Sequence, residues 1–372
     1  MVAGPRFSIL MPTHSRVDVI GHAIQSVLDQ SETDFELLVV GDGCVSGTAD
    51  VVAGFRDPRI RFFDLPKAPH FGYANRNTAL REARGELIAF AADDDLWFPD
   101  HLERLGQALS GGAALAYSQA LWVSSDGVLA PFLTNLEFDD ERQVFFSYQN
   151  TLCADCVVYR ADALPHLDAW PEEVPAGGDW KLWQRIMNEN EDRPFAYCRT
   201  PTVLHFSARR MQSRYANMPY FATMLEIADN GGWWPAALRA SIPAGATEQS
   251  VVAGMMRADP PGWTHAARLA SADLTARLAW DFVKTVHPSC KQIDRELAAA
   301  RHEIEAPTAR MAETERAASE MAARQAQDLD AMRLERDASR KEAEAIRKST
   351  SWRITHPLRS AVTALRRVGG SR

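Results

Sequence analysis

Three consecutive carboxylates, Asp93-Asp94-Asp95, follow directly on the apolar run Leu87-Ile88-Ala89-Phe90-Ala91-Ala92. An apolar run of this kind reads as a buried strand. Its end therefore concentrates negative charge, and like charges that close repel unless a cation sits among them. Hard oxygen ligands favour Mg2+ or Mn2+, and Mg2+ is commonly held by one or two carboxylates plus substrate phosphates. The plainer alternative is a solvated acidic turn leading into a helix at Pro99. A further acid, Asp42, closes another apolar run at Gly41-Asp42-Gly43, and Asp179 follows Gly177-Gly178 where a helical stretch opens. Cys153-Ala154-Asp155-Cys156 has CxxC spacing, but no second pair or histidine partner follows at zinc-site spacing. Buried structural thiols are expected there, with a metal or redox site as the alternative.

These acids need a frame to hold them. Phe7 to Met11 reads as a short strand stopped by Pro12, and Phe35 to Val40 and Ile60 to Phe63 as two more. Between them Val19 to Leu28 and Thr48 to Phe55 have helical spacing, and Tyr73 to Arg84 reads as a helix closed by Gly85. Alternating β and α segments predict an α/β fold, a Rossmann-like, mostly parallel sheet with flanking helices. Ligands in such sheets bind at the carboxyl ends of strands, where Asp42 and Asp93 to Asp95 are placed. Further strands are expected over Ala114–Val123, Cys156–Arg160, Phe195–Cys198 and Thr202–Phe206, and a helix from Trp180 to about Asn188.

Four segments are expected: an α/β domain over 1–210, a helical extension over 211–290, a long helix or coiled coil over 291–348, and a basic amphipathic tail over 349–372. Ile293, Leu297, Ala300, Ile304 and Met311 approximate an a/d seam for a homo-oligomer, and Pro307 is expected to kink or restart the helix. The tail is rich in arginine, lacks acids, and carries Leu358, Ala361, Val362, Leu365 and Val368 as an apolar stripe, which suits an anionic membrane surface. The net charge of -8 argues against general nucleic-acid binding. Five scattered cysteines fit a reducing compartment. Met1 to Ser8 lacks the flank and core of a signal peptide, and no apolar run reaches the roughly 18 residues of a membrane span. A cytoplasmic protein is expected, peripheral on the inner face of the plasma membrane if the tail binds lipid.

The ordered motifs resemble the family-two inverting glycosyltransferases with the GT-A fold. The resemblance covers Phe7 to about Arg210. It is carried by Ser8-Ile-Leu-Met-Pro-Thr-His-Ser-Arg16, Ala23-Ile-Gln-Ser-Val-Leu-Asp-Gln30, Phe35-Glu-Leu-Leu-Val-Val-Gly-Asp-Gly43 and Ala74-Asn-Arg-Asn77. Gly85-Glu-Leu-Ile-Ala-Phe-Ala-Ala-Asp-Asp-Asp95 with Pro99-Asp100, and Gly178-Asp-Trp-Lys-Leu-Trp183, complete it. The segment Ser349 to Arg359 also resembles a tail that follows coiled coils in bacterial surface-polysaccharide glycosyltransferases.

The resemblance implies a metal-dependent enzyme that moves a sugar from a nucleotide donor, a UDP-sugar, to a hydroxyl of a surface glycan or its lipid-linked precursor. It implies that Asp42 accepts from the imide N–H of a uracil-type base. Pro12 and Thr13 would border the nucleotide, and Arg76 would lie near the base or phosphates. Asp93 to Asp95 are similar to the DxD element that holds the ribose and a Mg2+ or Mn2+ ion on the diphosphate, with Asp94 or Asp95 preferred for the metal. Asp179 matches the general base, its alternative being a helix N-cap. His205, Arg209 and Arg210 stand where a basic residue can meet the diphosphate or metal. Two departures stand out: Ala92 occupies the usual place of an outer Asp, and Gly41 that of a second acid. Two rivals remain at this stage. A sugar-1-phosphate nucleotidyltransferase would want a Gly-rich N-terminal phosphate loop, absent here; a membrane-docked scaffold without chemistry would not need the acids.

Overall fold

The computed structural model describes residues 4–206 and 219–348. The tail expected over 349–372, and Arg209 and Arg210, lie outside the described residues. The chain divides into two compact units, Met1–Trp280 and Asp281–Arg372.

Period-two alternation builds the first unit. Strands β1 (Phe7–Thr13) and β2 (Phe35–Asp42) pair in parallel, with Phe7 opposite Phe35 and Thr13 opposite Gly41. Ile9, Met11, Leu37 and Val39 point to one face. There they meet Ile20, Ile24 and Val27 of helix α1 (Ile20–Leu28). Leu10, Leu38 and Val40 point to the other face. Each such buried aliphatic side chain stabilises the fold by about 1.5–3 kcal/mol. Helix α2 (Thr48–Gly54) leads to β3 (Ile60–Leu65), parallel to β2, and α3 (Tyr73–Leu80) leads to β4 (Leu87–Phe90), parallel to β1. The order β3-β2-β1-β4 with all strands parallel puts the carboxyl ends of β1, β2 and β4 on one edge.

Helix α3 stops at Leu80 rather than running to Arg84. The donors beyond it are needed elsewhere: Arg84 N–H bonds Glu36 Oε1 at 2.7 Å and Gly85 N–H bonds Ser8 Oγ at 2.8 Å. Gly85 is not a helix cap but a point of close approach, since a Cβ there would sit 2.4 Å from the Ser8 nitrogen.

The second half of the sheet mixes directions. Strand β5 (Leu96–Trp97), absent from the sequence reading, precedes α4 (His101–Ala108). Strand β6 (Leu115–Val123) pairs antiparallel with β7 (Leu129–Phe132). Helix α5 (Asp139–Ser147) and strand β8 (Val157–Arg160) follow, β8 lying antiparallel between β4 and β6. Helix α6 (Gly178–Glu189) leads to β9 (Phe195–Phe206), parallel to β6 and antiparallel to β5. The two strands expected over 195–206 are one, because register shifts on either side of the Gln119–Pro201 pair absorb the break. Leu182, Trp183 and Ile186 seat α6 on the face opposite α1.

Helices α7 (Pro219–Asn230), α8 (Glu248–Ala258) and α9 (Pro260–Asp281) follow. Arg268 of α9 grips Asp100 through both carboxylate oxygens at 2.6 and 2.8 Å, and its Nε bonds the Pro201 carbonyl at 2.9 Å. Helix α10 (His287–Lys348) forms most of the described second unit and is helical through position 307, so no restart occurs there. Ile293, Leu297, Ile304 and Met311 are exposed on it. Among the described residues no helix is long and apolar enough to cross a membrane.

Candidate active site

At the carboxyl edge of β1, β2 and β4 lies a cleft of about 390 Å3. Its lining includes Pro12, Thr13, Arg16, Asp42, Lys67, Phe71, Arg76 and Asp93. Five residues expected to meet a nucleotide, Pro12, Thr13, Asp42, Arg76 and Asp93, thus converge on one cavity.

Asp42 ends β2 with its carboxylate almost fully buried. Oδ1 accepts from Ala68 N–H at 2.8 Å and from Asn75 Nδ2 at 2.7 Å, and Oδ2 pairs with Lys67 Nζ. A carboxylate offers about four lone-pair sites, so one remains for a further donor. His14 Nδ1 donates to the Asp42 carbonyl at 2.8 Å, which fixes both the ring tautomer and the strand end.

The three aspartates after β4 have three different fates. Asp93 lines the cleft, and burial together with the neighbouring Asp94 charge pushes its carboxyl up to about 6. Asp94 pairs with Arg16 at 3.0 Å; burial and the Asp95 charge raise its carboxyl, while Arg16 works against them. Asp95 turns inward, 2 % exposed, accepting from Phe206 N–H at 3.0 Å and from His205 Nδ1 at 2.7 Å. Burial alone would lower His205, but Asp95 and Cys153 hold its imidazolium well above the usual range. Asp95, Cys153 and His205 each place one ligand-type atom within 4.8 Å of the others. The preferred metal residues therefore separate: Asp94 faces Arg16 of the cleft lining, whereas Asp95 and His205 share a buried cluster.

Arg76 lies in an aromatic cage. Its guanidinium sits 5.1 Å from the Tyr73 ring centroid, 5.4 Å from Phe90 and 4.4 Å from Trp170. Burial lowers it to about 10, which leaves it charged at neutral pH, and its buried Nε has no hydrogen-bond partner among the described residues. An unpaired cationic donor lining a cleft can meet an anionic ligand. The charges of Asp179, Asp42 and Asp93 all bear on Arg76, so it stands among the acids of the site.

Asp179 is in the first turn of α6, where a carboxylate is favoured by the helix dipole. Burial raises it, opposed by the Trp180 N–H, the Arg76 charge and Asn150. The N-cap is Gly177, and Asp179 stands inside the first turn with its carboxylate bonded by the Trp180 N–H. Gly178 N–H bonds Tyr73 Oη at 2.9 Å, and a Cβ at position 178 would lie 2.5 Å from the Tyr73 ring. Only glycine lets α6 bring Asp179 so close to α3.

Several site residues escaped the sequence reading. Lys67, Asn75 and Arg16 neutralise or anchor the acids; Asn75 and Arg16 stood in quoted motifs without a role, and Lys67 carried no hint. Within the CxxC stretch the aspartate matters at least as much as the thiols. Asp155 receives Ala92 N–H at 3.0 Å on both oxygens and Trp97 Nε1 at 3.3 Å, and burial raises its carboxyl well above the usual range. It holds the turn that carries Asp93 and Asp94 from behind. Cys156 is buried, and Cys153 sits against His205.

The strand-end cleft thus brings two carboxylates, Asp42 and Asp93, and the caged cation Arg76 together on an α/β frame. Residues 8–167 match the family model Glycosyl transferase family 2. It is 32% identical over 127 residues to the UDP-Glc:alpha-D-GlcNAc-diphosphoundecaprenol beta-1,3-glucosyltransferase WfgD of Escherichia coli, covering 34% of this chain and 50% of that one. It is also 32% identical over 143 residues to the putative teichuronic acid biosynthesis glycosyltransferase TuaG of Bacillus subtilis, covering 37% and 56%. The chain thus spans about half the length of these curated relatives. Among solved structures it is similar to S. aureus TarS 1-349, with 18% identity, 59% of this chain and 65% of that chain covered, and a TM-score of 0.43.

Proposed function

We propose that this protein is an inverting glycosyltransferase that moves a sugar from a nucleotide donor, a UDP-sugar, to a hydroxyl of a lipid-linked precursor of a bacterial surface polysaccharide. The observation that carries this reading is the convergence of Asp42, Arg76 and Asp93 on one cleft, with the Arg76 charge bearing also on Asp179. The relative WfgD, by its name, glucosylates a diphosphoundecaprenol-linked sugar, which supports the donor and acceptor classes.

In this reading the one free acceptor site of Asp42 takes the imide N–H of the base. Arg76 offers its unpaired Nε to the phosphates or base. Asp179 takes the proton of the acceptor hydroxyl as that oxygen attacks the anomeric carbon, opposite the departing diphosphate. Burial helps, because a carboxyl raised toward neutrality is a better-matched base than an exposed one. Attack from that side inverts the anomeric centre.

The crowding of the aspartates fits a divalent cation: burial raises both Asp93 and Asp94, the Asp94 charge adds to the first and the Asp95 charge to the second, and a 2+ charge relieves that. Asp94, and Asp93 beside it, would hold Mg2+ or Mn2+ with the donor diphosphate, the ion neutralising the leaving group. Arg16 provides the counter-charge to Asp94 in this structure. We also read the exposed apolar residues of α10 as a homo-oligomer seam, and the tail over 349–372 as a contact for anionic lipid, at the inner face of the plasma membrane.

The deciding experiment is a panel of nucleotide sugars with Mn2+, followed by Asp179→Asn. Sugar transfer with release of UDP rather than pyrophosphate is expected from the wild type. The variant should bind UDP as before and transfer nothing detectable. Transfer at the wild-type rate would remove Asp179 from the mechanism.

A further inference from the structure

We propose that Asn150 is a positioning residue for Asp179, its side-chain amide holding one carboxylate oxygen so that the other meets the acceptor hydroxyl. The inference rests on the reading of Asp179 as the base.

Asn150 lies in the loop between α5 and β8. Its Nδ2 donates to Asp179 Oδ2 at 3.0 Å, and its Oδ1 accepts from Leu152 N–H at 3.1 Å. These two bonds settle which way the amide points: a backbone N–H needs the oxygen, and a carboxylate needs the NH2. The amide is thus locked by its own loop and has one donor committed to Asp179.

The loop is itself anchored. Thr134 Oγ1 donates to the Thr151 carbonyl, and Leu152 is buried. Helix α6 is seated against the end of α5, where Trp180 Nε1 bonds the Phe145 carbonyl at 2.7 Å and Gln184 Nε2 bonds the Phe145 and Phe146 carbonyls at 3.1 and 3.0 Å. Asn150 and Asp179 are therefore carried on parts of the fold that are tied together, and their contact is a fixed geometry rather than a chance approach of a loop. A base held this way loses little orientation entropy when the acceptor arrives.

The other groups that face Asp179 are Arg76 and Tyr73, both from α3. Arg76 bears on its charge and the Trp180 N–H bonds it from the backbone, whereas among the described residues Asn150 alone offers it a side-chain hydrogen bond. Asn150 does not line the nucleotide cleft, so its effect is separable from donor binding.

The test is Asn150→Asp. This change keeps an oxygen for Leu152 N–H, so the loop bond survives. It removes the donor to Asp179 and sets a second carboxylate against it. The acid limb of the kcat profile should move up by about one pH unit, since a lost charge-assisted hydrogen bond is of that size. On that limb kcat at a fixed pH should fall about tenfold, and by less near neutrality, with donor KM and UDP affinity unchanged, as befits a group acting only on the base. Asn150→Ala, which loses the donor without adding charge, should move the limb in the same direction by less. Matching thermal midpoints show that both variants fold. A kcat profile of Asn150→Asp superimposable on the wild type, with Asp179→Asn inactive, would overturn the positioning role and leave the base assignment standing. Full transfer by Asp179→Asn would overturn both.

Discussion

The two halves of the sheet use the same residue types to opposite ends. In the parallel half, β3-β2-β1-β4, carboxylates at strand ends open onto a cleft and retain capacity: Asp42 keeps a free acceptor site, and Asp93 lines the cavity. In the mixed half, the polar groups are spent inside. Asp95 is taken by Phe206 N–H and His205, Asp155 by Ala92 and Trp97, and His101 by Thr202, where burial pushes its imidazole down to about 3. Position at a strand end does not make an acid functional. What decides is whether the chain itself has already supplied the donors.

If the mixed half is purely structural, damage there should appear as lost stability. The largest effect is expected at Asp155. Asp155→Ala leaves the Ala92 and Trp97 N–H groups without their acceptor and should cost about 3 kcal/mol in urea unfolding. Asp155→Asn keeps an oxygen for these N–H donors and should cost less than half as much. Equal losses would mean that one oxygen cannot hold both donors.

On the cleft side binding should be lost together with stability. Asp42→Ala strips the acceptor from Ala68 N–H, Asn75 Nδ2 and Lys67 and should cost about 1–3 kcal/mol in unfolding. It should also weaken UDP binding about tenfold or more by titration calorimetry, the size of one hydrogen bond to a charged group. Unaltered affinity would place the base elsewhere.

The Asp100–Arg268 pair probes the structural side through pH. Burial would raise Asp100, but Arg268 and Arg104 hold it down at about 2. A carboxylate with a depressed folded value contributes stability above its unfolded value, and that contribution is lost as pH falls through the folded one. Arg268→Ala should therefore cost about 1–3 kcal/mol near neutrality. The gap to wild type should close as pH falls from about 4 toward 2. A gap that stays constant would assign the loss to packing. The smallest effect is expected for Arg16→Ala, below about 1 kcal/mol, because that guanidinium is roughly half exposed.

The strands, α1 and the cleft edge were legible in the sequence because apolar periodicity is local: Ile9, Met11, Leu37 and Val39 announce their face by position alone. Asp42, Arg76 and Asp93 were legible as a group through the order of their motifs. What stayed hidden depends on chain segments far apart. Lys67 reaches Asp42 across 25 positions, Arg16 reaches Asp94, and Asp155 reaches back 63 to Ala92. The early end of α3 was hidden for the same reason, since Glu36 and Ser8 capture the donors of Arg84 and Gly85. Nothing in the spacing of the aspartate triplet foretold that its last member would face inward.

The bare backbone at Gly178 carries a consequence for how this sequence can drift. A single added methyl would press on Tyr73. That ring is one wall of the cage around Arg76, and its hydroxyl receives the amide next to Asp179. One codon change would thus disturb the cation of the donor side and the acid of the acceptor side together. Descendants of this chain are free to vary the loops around the cleft, but at position 178 they inherit a choice of one residue.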